Sequence, residues 1–108
     1  MVLQIVSPKE FGERLQWLRR QTTYTAEKLS LAIGTDKTKI SYVERGKPAN
    51  VDAQLAARIA SELAGEGQLV NDEEKLFAFL MGLRDDTGEV LANQFEESDR
   101  RGYLLKVA

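Results

Sequence analysis

The residue types that carry most enzyme chemistry are missing from this chain. Its 108 residues include no cysteine and no histidine, which excludes disulfides and thiolate metal sites and removes the commonest general base. The acidic pairs Asp85-Asp86 and Glu96-Glu97 are typical of solvated charge rather than of an acid–base pair. We therefore expect a protein that binds rather than catalyses, with no metal and no cofactor.

Positive charge is concentrated in the first part of the chain, although the net charge is −2. Residues 1–64 hold ten Lys or Arg and seven Asp or Glu, a balance of +3, whereas residues 65–108 hold five and ten, a balance of −5. Four of the basic residues fall within eleven positions: Lys37, Lys39, Arg45 and Lys47. The overall acidity therefore belongs to the second part and does not exclude a polyanionic partner for the first.

The elements that position these residues read as consecutive helices. Ser7-Pro8-Lys9-Glu10 combines an N-cap, a proline at the first helical position and a capping-box glutamate. Similar start and stop signals, with apolar residues at helical spacing, predict five helices at about residues 8–21, 25–34, 36–44, 51–63 and 72–84. Weaker helical segments follow at about 89–97 and 98–107. The predicted fold class is all-α.

The second and third predicted helices have the spacing of a helix-turn-helix, in which two short helices cross at a wide angle. Such a unit requires a small residue where the helices cross, and Ser30 occupies that position. It requires a turn residue that tolerates positive φ, and Gly34 stands there. Apolar residues must pin both helices to the core, a role that we assign to Leu29, Ile33, Ile40 and Val43.

This stretch resembles the Cro/repressor-like helix-turn-helix family, the XRE family that includes the lambdoid phage repressors. The matching residues are Leu18-Arg19, Thr25, Leu29, Gly34 and the run from Ile40 to Gly46, Ile-Ser-Tyr-Val-Glu-Arg-Gly. The likeness covers about residues 8–64, and it implies a lambda-repressor-like bundle in a DNA-binding domain of residues 1–64. It also implies a transcriptional regulator, most simply a repressor, that binds double-stranded DNA sequence-specifically with helix 36–44 in the major groove.

The resemblance also implies roles for individual residues. Base contacts would come from Lys37, Thr38, Ser41 and Tyr42. Phosphate contacts would come from Thr25, Lys39, Arg45 and Lys47. Arg19 and Glu44 would form a structural ion pair that ties the recognition helix to the first helix. For each lysine alone, the competing interpretation is a solvated surface charge, and for Tyr42 it is a surface aromatic packed on its neighbours.

Two residues depart from the family pattern. Ala26 replaces the usual glutamine at the start of the second helix, which removes a phosphate contact. Thr23 replaces the usual glycine between the first two helices, and a β-branched residue resists positive φ. The fold is therefore predicted more firmly than the docking pose.

Residues 65–108 are predicted to form a helical extension, with residues 71–108 serving as a dimerisation or packing element. The fifth helix is apolar around most of its circumference, so other chain segments or a second subunit must cover it. Repressors of this kind bind two half-sites as homodimers, and we also expect the tail or a partner to cover Trp17. The alternative function is a protein-interaction module on the same fold, such as an antitoxin or an RNA polymerase-contacting factor. A protein partner would then bind through residues 71–108. The chain has no run long enough to span a membrane, so a cytoplasmic location is expected.

Overall fold

The computed structural model describes residues 6–82 and 104–106 and is predominantly helical over that range. Its helices are α1 Pro8–Arg20, α2 Ala26–Ala32, α3 Lys39–Glu44, α4 Ala53–Leu63 and α5 Glu73–Met81. The helical part of the predicted fold class is therefore confirmed for the described residues. An isolated antiparallel bridge also joins Leu69 to Leu105. The helix predicted at 89–97 lies outside the described residues, as do residues 98–103 and 107 of the segment predicted at 98–107. In the described part of that segment, Leu105 forms this bridge and Lys106 is not helical, so the predicted helix does not continue there.

Side-chain caps start four of the helices, because the first backbone N–H groups of a helix have no partner within it. Ser7 accepts a hydrogen bond from the N–H of Glu10 at 3.2 Å, and Thr25 accepts one from Lys28 at 3.1 Å. Asp52 and Asp72 cap α4 and α5 in the same way. Since Asp52 is the cap, α4 begins at Ala53, two residues later than predicted.

The end of α5 is set by a glycine. Gly82 adopts a left-handed φ of +67° as the C-cap, a conformation that costs glycine little. The helix therefore stops at Met81 and does not continue to Arg84 as predicted, and Arg84 itself lies outside the described residues.

The start of α3 also differs from the prediction, which placed it at Asp36. The N–H of Lys39 donates to the carbonyl of Asp36 at 3.0 Å, a bond that closes a tight turn rather than a helical turn. The next N–H, of Ile40, donates to the hydroxyl of Ser30 in α2. Regular helix therefore begins only at Lys39, and Lys37 and Thr38 lie in a turn that precedes it.

One continuous apolar core joins all five helices. In α1, Leu15 and Leu18 are fully buried, and the same cluster includes Leu76, Phe79 and Leu80 of α5. α5 packs against α4 and α1 of its own chain, which explains its apolar circumference. Fully buried Leu104 joins the same core.

Trp17 is half-buried against the fifth helix. Its ring centroid lies 5.8 Å from that of Phe79, with the planes inclined at 56°, an ordinary geometry for a stabilising aromatic pair. Part of the C-terminal third therefore covers this tryptophan, as expected.

Candidate nucleic-acid interface

The hydroxyl of Ser30 joins the two helices of the candidate interface. It donates to the carbonyl of Ala26 at 2.8 Å within α2 and accepts the N–H of Ile40 at 2.9 Å from α3. Ser30 is fully buried, so water does not reach this crossing. The bond gives the buried N–H of Ile40 a partner that it would otherwise lack. The prediction of a small residue here is confirmed, and its hydroxyl adds a polar link between α2 and α3.

The turn between α2 and α3 is held from both sides. Gly34 has a φ of +81°, which confirms the predicted positive φ and reverses the chain after α2. The backbone N–H of Thr35 donates to the carbonyl of Ser30 at 2.9 Å, and the Thr35 hydroxyl donates to the same oxygen at 2.8 Å. The segment that enters α3 is therefore anchored to the end of α2.

An ion pair attaches α3 to α1. Arg19 donates from Nε to one carboxylate oxygen of Glu44 at 2.6 Å and from Nη2 to the other at 3.0 Å. A third bond runs from Nη1 to the carbonyl of Tyr24 at 3.2 Å. The side chain of Glu44 is only 6% exposed, and its hydrogen bond raises the pKa of Arg19. This is the pair that the sequence placed at these positions, in the bidentate geometry that favours Arg over Lys.

Gly12 permits the close approach of α1 and α3, a role that was not predicted from the sequence. A Cβ at this position would lie 2.5 Å from the carbonyl oxygen of Val43 and 2.7 Å from that of Glu44. Both contacts are to backbone, which cannot move without shifting α3. A glycine within the apolar pattern of a predicted helix was the available signal, since such a residue often marks a tight packing point.

The four residues expected at base edges lie on or just before α3, on the side away from the core. Lys37 and Thr38 are exposed in the turn before α3. Tyr42 is 44% exposed on the helix itself, and Ser41 is half-buried beside it. Thr38, Tyr42 and Arg45 are spaced four and three residues apart, so they share one face that points away from the buried Ile40.

The hydroxyl of Thr38 is already engaged. It donates to Oδ1 of Asp36 at 2.5 Å, and the Thr38 backbone N–H donates to the same oxygen at 2.8 Å. These two bonds lower the pKa of Asp36, because they favour the ionised carboxylate. The sequence placed Asp36 only at the start of the helix predicted over 36–44, since its contact with Thr38 depends on the turn that replaces the predicted first helical turn.

The expected phosphate-binding residues do not form a single group. Thr25 is exposed, and its hydroxyl oxygen accepts the N–H of Lys28. Arg45 and Lys47 are exposed at the end of α3, where Nε of Arg45 donates to the carbonyl of Ser41 at 3.3 Å. Lys39 is half-buried and lies to one side of the helix, on the wall of a groove.

That groove, of about 530 Å³, separates α3 from the segment that leads into α4. Its floor includes Phe11 and Val43, and its opposite wall is formed by residues 48–55. Asn50 and Gln54 are exposed polar residues on that wall. Both lie after Lys47, the last residue predicted to contact DNA. Their amides can donate hydrogen bonds to an anion that lies along the groove.

Among residues 6–82 and 104–106, no group of acidic side chains is arranged to hold a metal ion. Within the same part of the chain, every helix is too short or too polar to cross a bilayer. The described surface around α3 carries hydroxyl, ammonium, guanidinium and amide groups. Groups of these kinds can form hydrogen bonds with anions and base edges. No protein-family model matches the chain, and neither a curated protein nor a solved structure shows significant similarity to it.

Proposed function

We propose that this protein is a sequence-specific double-stranded DNA-binding regulator, most simply a repressor, with a Cro/repressor-like helix-turn-helix. In this proposal α3 and the turn before it enter the major groove. Lys37, Thr38, Ser41 and Tyr42 face base edges, while Thr25, Arg45 and Lys47 bind phosphates. Lys39 reaches the backbone from the side of the helix.

The observation that carries the proposal is the rigid attachment of α3 to the scaffold with its outer face left open. The buried Ser30 hydroxyl holds one end of α3 and the Arg19–Glu44 pair holds the other. A helix that reads base edges must present its side chains in a fixed orientation, because bidentate base contacts tolerate little displacement. Buried contacts on one side and exposed polar residues on the other meet this requirement.

The charges on the open face also support the proposal. Between residues 36 and 47, Lys37, Arg45 and Lys47 are exposed and Asp36 is the one exposed acidic residue. The side chain of Glu44 is paired and buried. A phosphate backbone approaching this face would therefore meet more positive than negative charge, despite the net charge of −2. Binding of this kind releases counterions and weakens steeply as salt rises.

A duplex selection tests the proposal. The protein is incubated with a random-sequence duplex library at low salt, and the bound fraction is sequenced. We expect a two-fold symmetric site, whose recovery is lost with Lys37→Ala and Thr38→Ala. Arg58→Ala is the charge control, since it removes a positive charge from an exposed position on α4 that has no proposed role in DNA binding or dimerisation. Failure to enrich any duplex at low salt would refute the proposal.

The two-fold site follows from a proposed homodimer, because two recognition helices bind half-sites centred about 34 Å apart. Residues 71–108 are the proposed source of that dimer contact. Sedimentation of the protein with and without the selected duplex measures the stoichiometry. Two chains per site are expected, and one chain per symmetric site would contradict the dimer.

One observation favours the second candidate function, a protein-interaction module such as an antitoxin or a polymerase-contacting factor. Leu31 on α2 is 58% exposed, and a leucine side chain cannot hydrogen-bond to a phosphate or a base edge. Leu31→Ser should leave duplex binding unchanged under the DNA-binding proposal. If the duplex selection fails, this residue is the starting point for mapping a protein partner.

A further inference from the structure

The Asp36–Thr38 contact determines which hydrogen bonds Thr38 can still make. A threonine hydroxyl has one proton to donate and two lone pairs that accept. The proton of Thr38 is directed at Asp36 Oδ1, 2.5 Å away, in a bond strengthened by the carboxylate charge. The hydroxyl that remains for a ligand is therefore an acceptor, with the side-chain methyl beside it.

The acceptor is held in place before any ligand arrives. Oδ1 of Asp36 also accepts the Thr38 backbone N–H at 2.8 Å, and the Asp36 carbonyl accepts the N–H of Lys39 at 3.0 Å. Thr35 connects this turn to the buried end of α2. The hydroxyl therefore loses less conformational entropy on binding than a freely rotating one would. It cannot become a donor to a ligand without breaking its hydrogen bond to the Asp36 carboxylate.

Base pairs differ in what they offer such a group. In the major groove guanine presents two acceptors, N7 and O6, and thymine presents the acceptor O4 and a methyl group, whereas adenine and cytosine present amino donors at N6 and N4. An acceptor hydroxyl placed against guanine brings two acceptors together and leaves both without a proton. Against adenine or cytosine it receives one.

We infer that Asp36 is a specificity-determining residue that acts through Thr38: it fixes the hydroxyl as an acceptor, so that the base facing Thr38 is adenine or cytosine and not guanine. Asp36 itself is a positioning residue. The inference rests on the proposed DNA-binding function and adds a base preference at one position of the site.

Two substitutions separate hydrogen-bond control from charge. Asp36→Ala and Asp36→Asn both remove the negative charge, but only the asparagine keeps an Oδ1 that accepts from Thr38. In the alanine variant the Thr38 hydroxyl is free to rotate and donate to guanine. Duplex selection with the three proteins should therefore show guanine at one position for Asp36→Ala, and its exclusion from that position for the wild type and Asp36→Asn.

Fluorescence anisotropy with the selected duplex, and with its guanine-substituted copy, measures the size of the effect. A net hydrogen bond corresponds to roughly a two- to tenfold change in affinity. The wild type and Asp36→Asn should discriminate against the guanine duplex by that factor, and Asp36→Ala should lose the discrimination. Thr38→Val, which is close in shape, should weaken binding of the preferred duplex two- to tenfold without gaining guanine.

The outcomes distinguish failure of the Asp36 inference from failure of the proposed DNA-binding function. If the wild type enriches a site and the alanine and asparagine variants then recover identical base preferences, the inference is wrong and the proposed function stands. An equal loss of affinity for all duplexes would show a purely structural role for Asp36, and would also overturn the inference. If the wild type enriches no duplex, the proposed function itself fails.

Discussion

Replacing Ser30 by alanine should destabilise the protein by removing the polar link between α2 and α3. The substitution deletes one oxygen, which bonds the carbonyl of Ala26 at 2.8 Å and the N–H of Ile40 at 2.9 Å. Ser30 and Ile40 are both fully buried. Water therefore cannot easily replace the lost oxygen, and the N–H of Ile40 is left without this partner.

The magnitude follows from opposing contributions. A buried donor without a partner costs about 1–3 kcal/mol. Alanine favours a helix over serine by about 0.5 kcal/mol, which offsets part of that cost. We expect a net loss of about 1–2 kcal/mol in the free energy of unfolding, or a fall in Tm of roughly 5–15 °C for a domain of this size.

Urea unfolding followed by tryptophan fluorescence provides the assay. Trp17 is the only tryptophan, and its packing on Phe79 makes its emission sensitive to the α1–α5 contact. Ser61→Ala is the matched control, because Ser61 is an exposed serine in the last turn of α4. A Ser30→Ala variant as stable as Ser61→Ala would refute the claim that the hydroxyl carries part of the α2–α3 attachment.

Three further perturbations follow from the structure. Gly12→Ala should lower the free energy of unfolding by at least about 1–3 kcal/mol through overpacking, because the added Cβ meets backbone oxygens of α3. Thermal unfolding measures the loss, and an unchanged Tm would contradict the close crossing. Arg19→Leu should lower the free energy of unfolding, measured in urea, by about 3 kcal/mol or more, because it leaves the carboxylate of Glu44 buried and unpaired. The double variant with Glu44→Leu should recover part of that stability. Tyr24 hydrogen-bonds to Glu62, which raises the pKa of its phenol to about 12 from an ordinary 10.0. The raised pKa contributes stability that is complete below pH 10 and is lost as the pH rises through about 12. Ultraviolet titration should therefore show a late tyrosine ionisation, and Tyr24→Phe should abolish that late step.

Much of the local structure could be predicted from the chain because its causes are local. Ser7, Thr25 and Asp72 cap helices with side chains that reach only three residues along the chain. The cap at Asp52 is equally local, although the prediction started that helix at residue 51. The turn at Gly34 needs positive φ, a property of one residue. The apolar spacing of α1 identified its buried face before the partners of that face were known.

The tertiary structure decided the features that join distant segments. The start of α3 shifted to Lys39 because Ser30, ten residues earlier, takes the N–H of Ile40, and no local signal describes that competition. The tight crossing at Gly12 likewise depends on where the α3 backbone lies. Periodicity showed that α5 must be covered, but only the packed chain identifies α1 and α4 as its partners. Residue types thus determined which groups are available on the outer face, whereas the turn held by Asp36 determined that the Thr38 hydroxyl offers an acceptor.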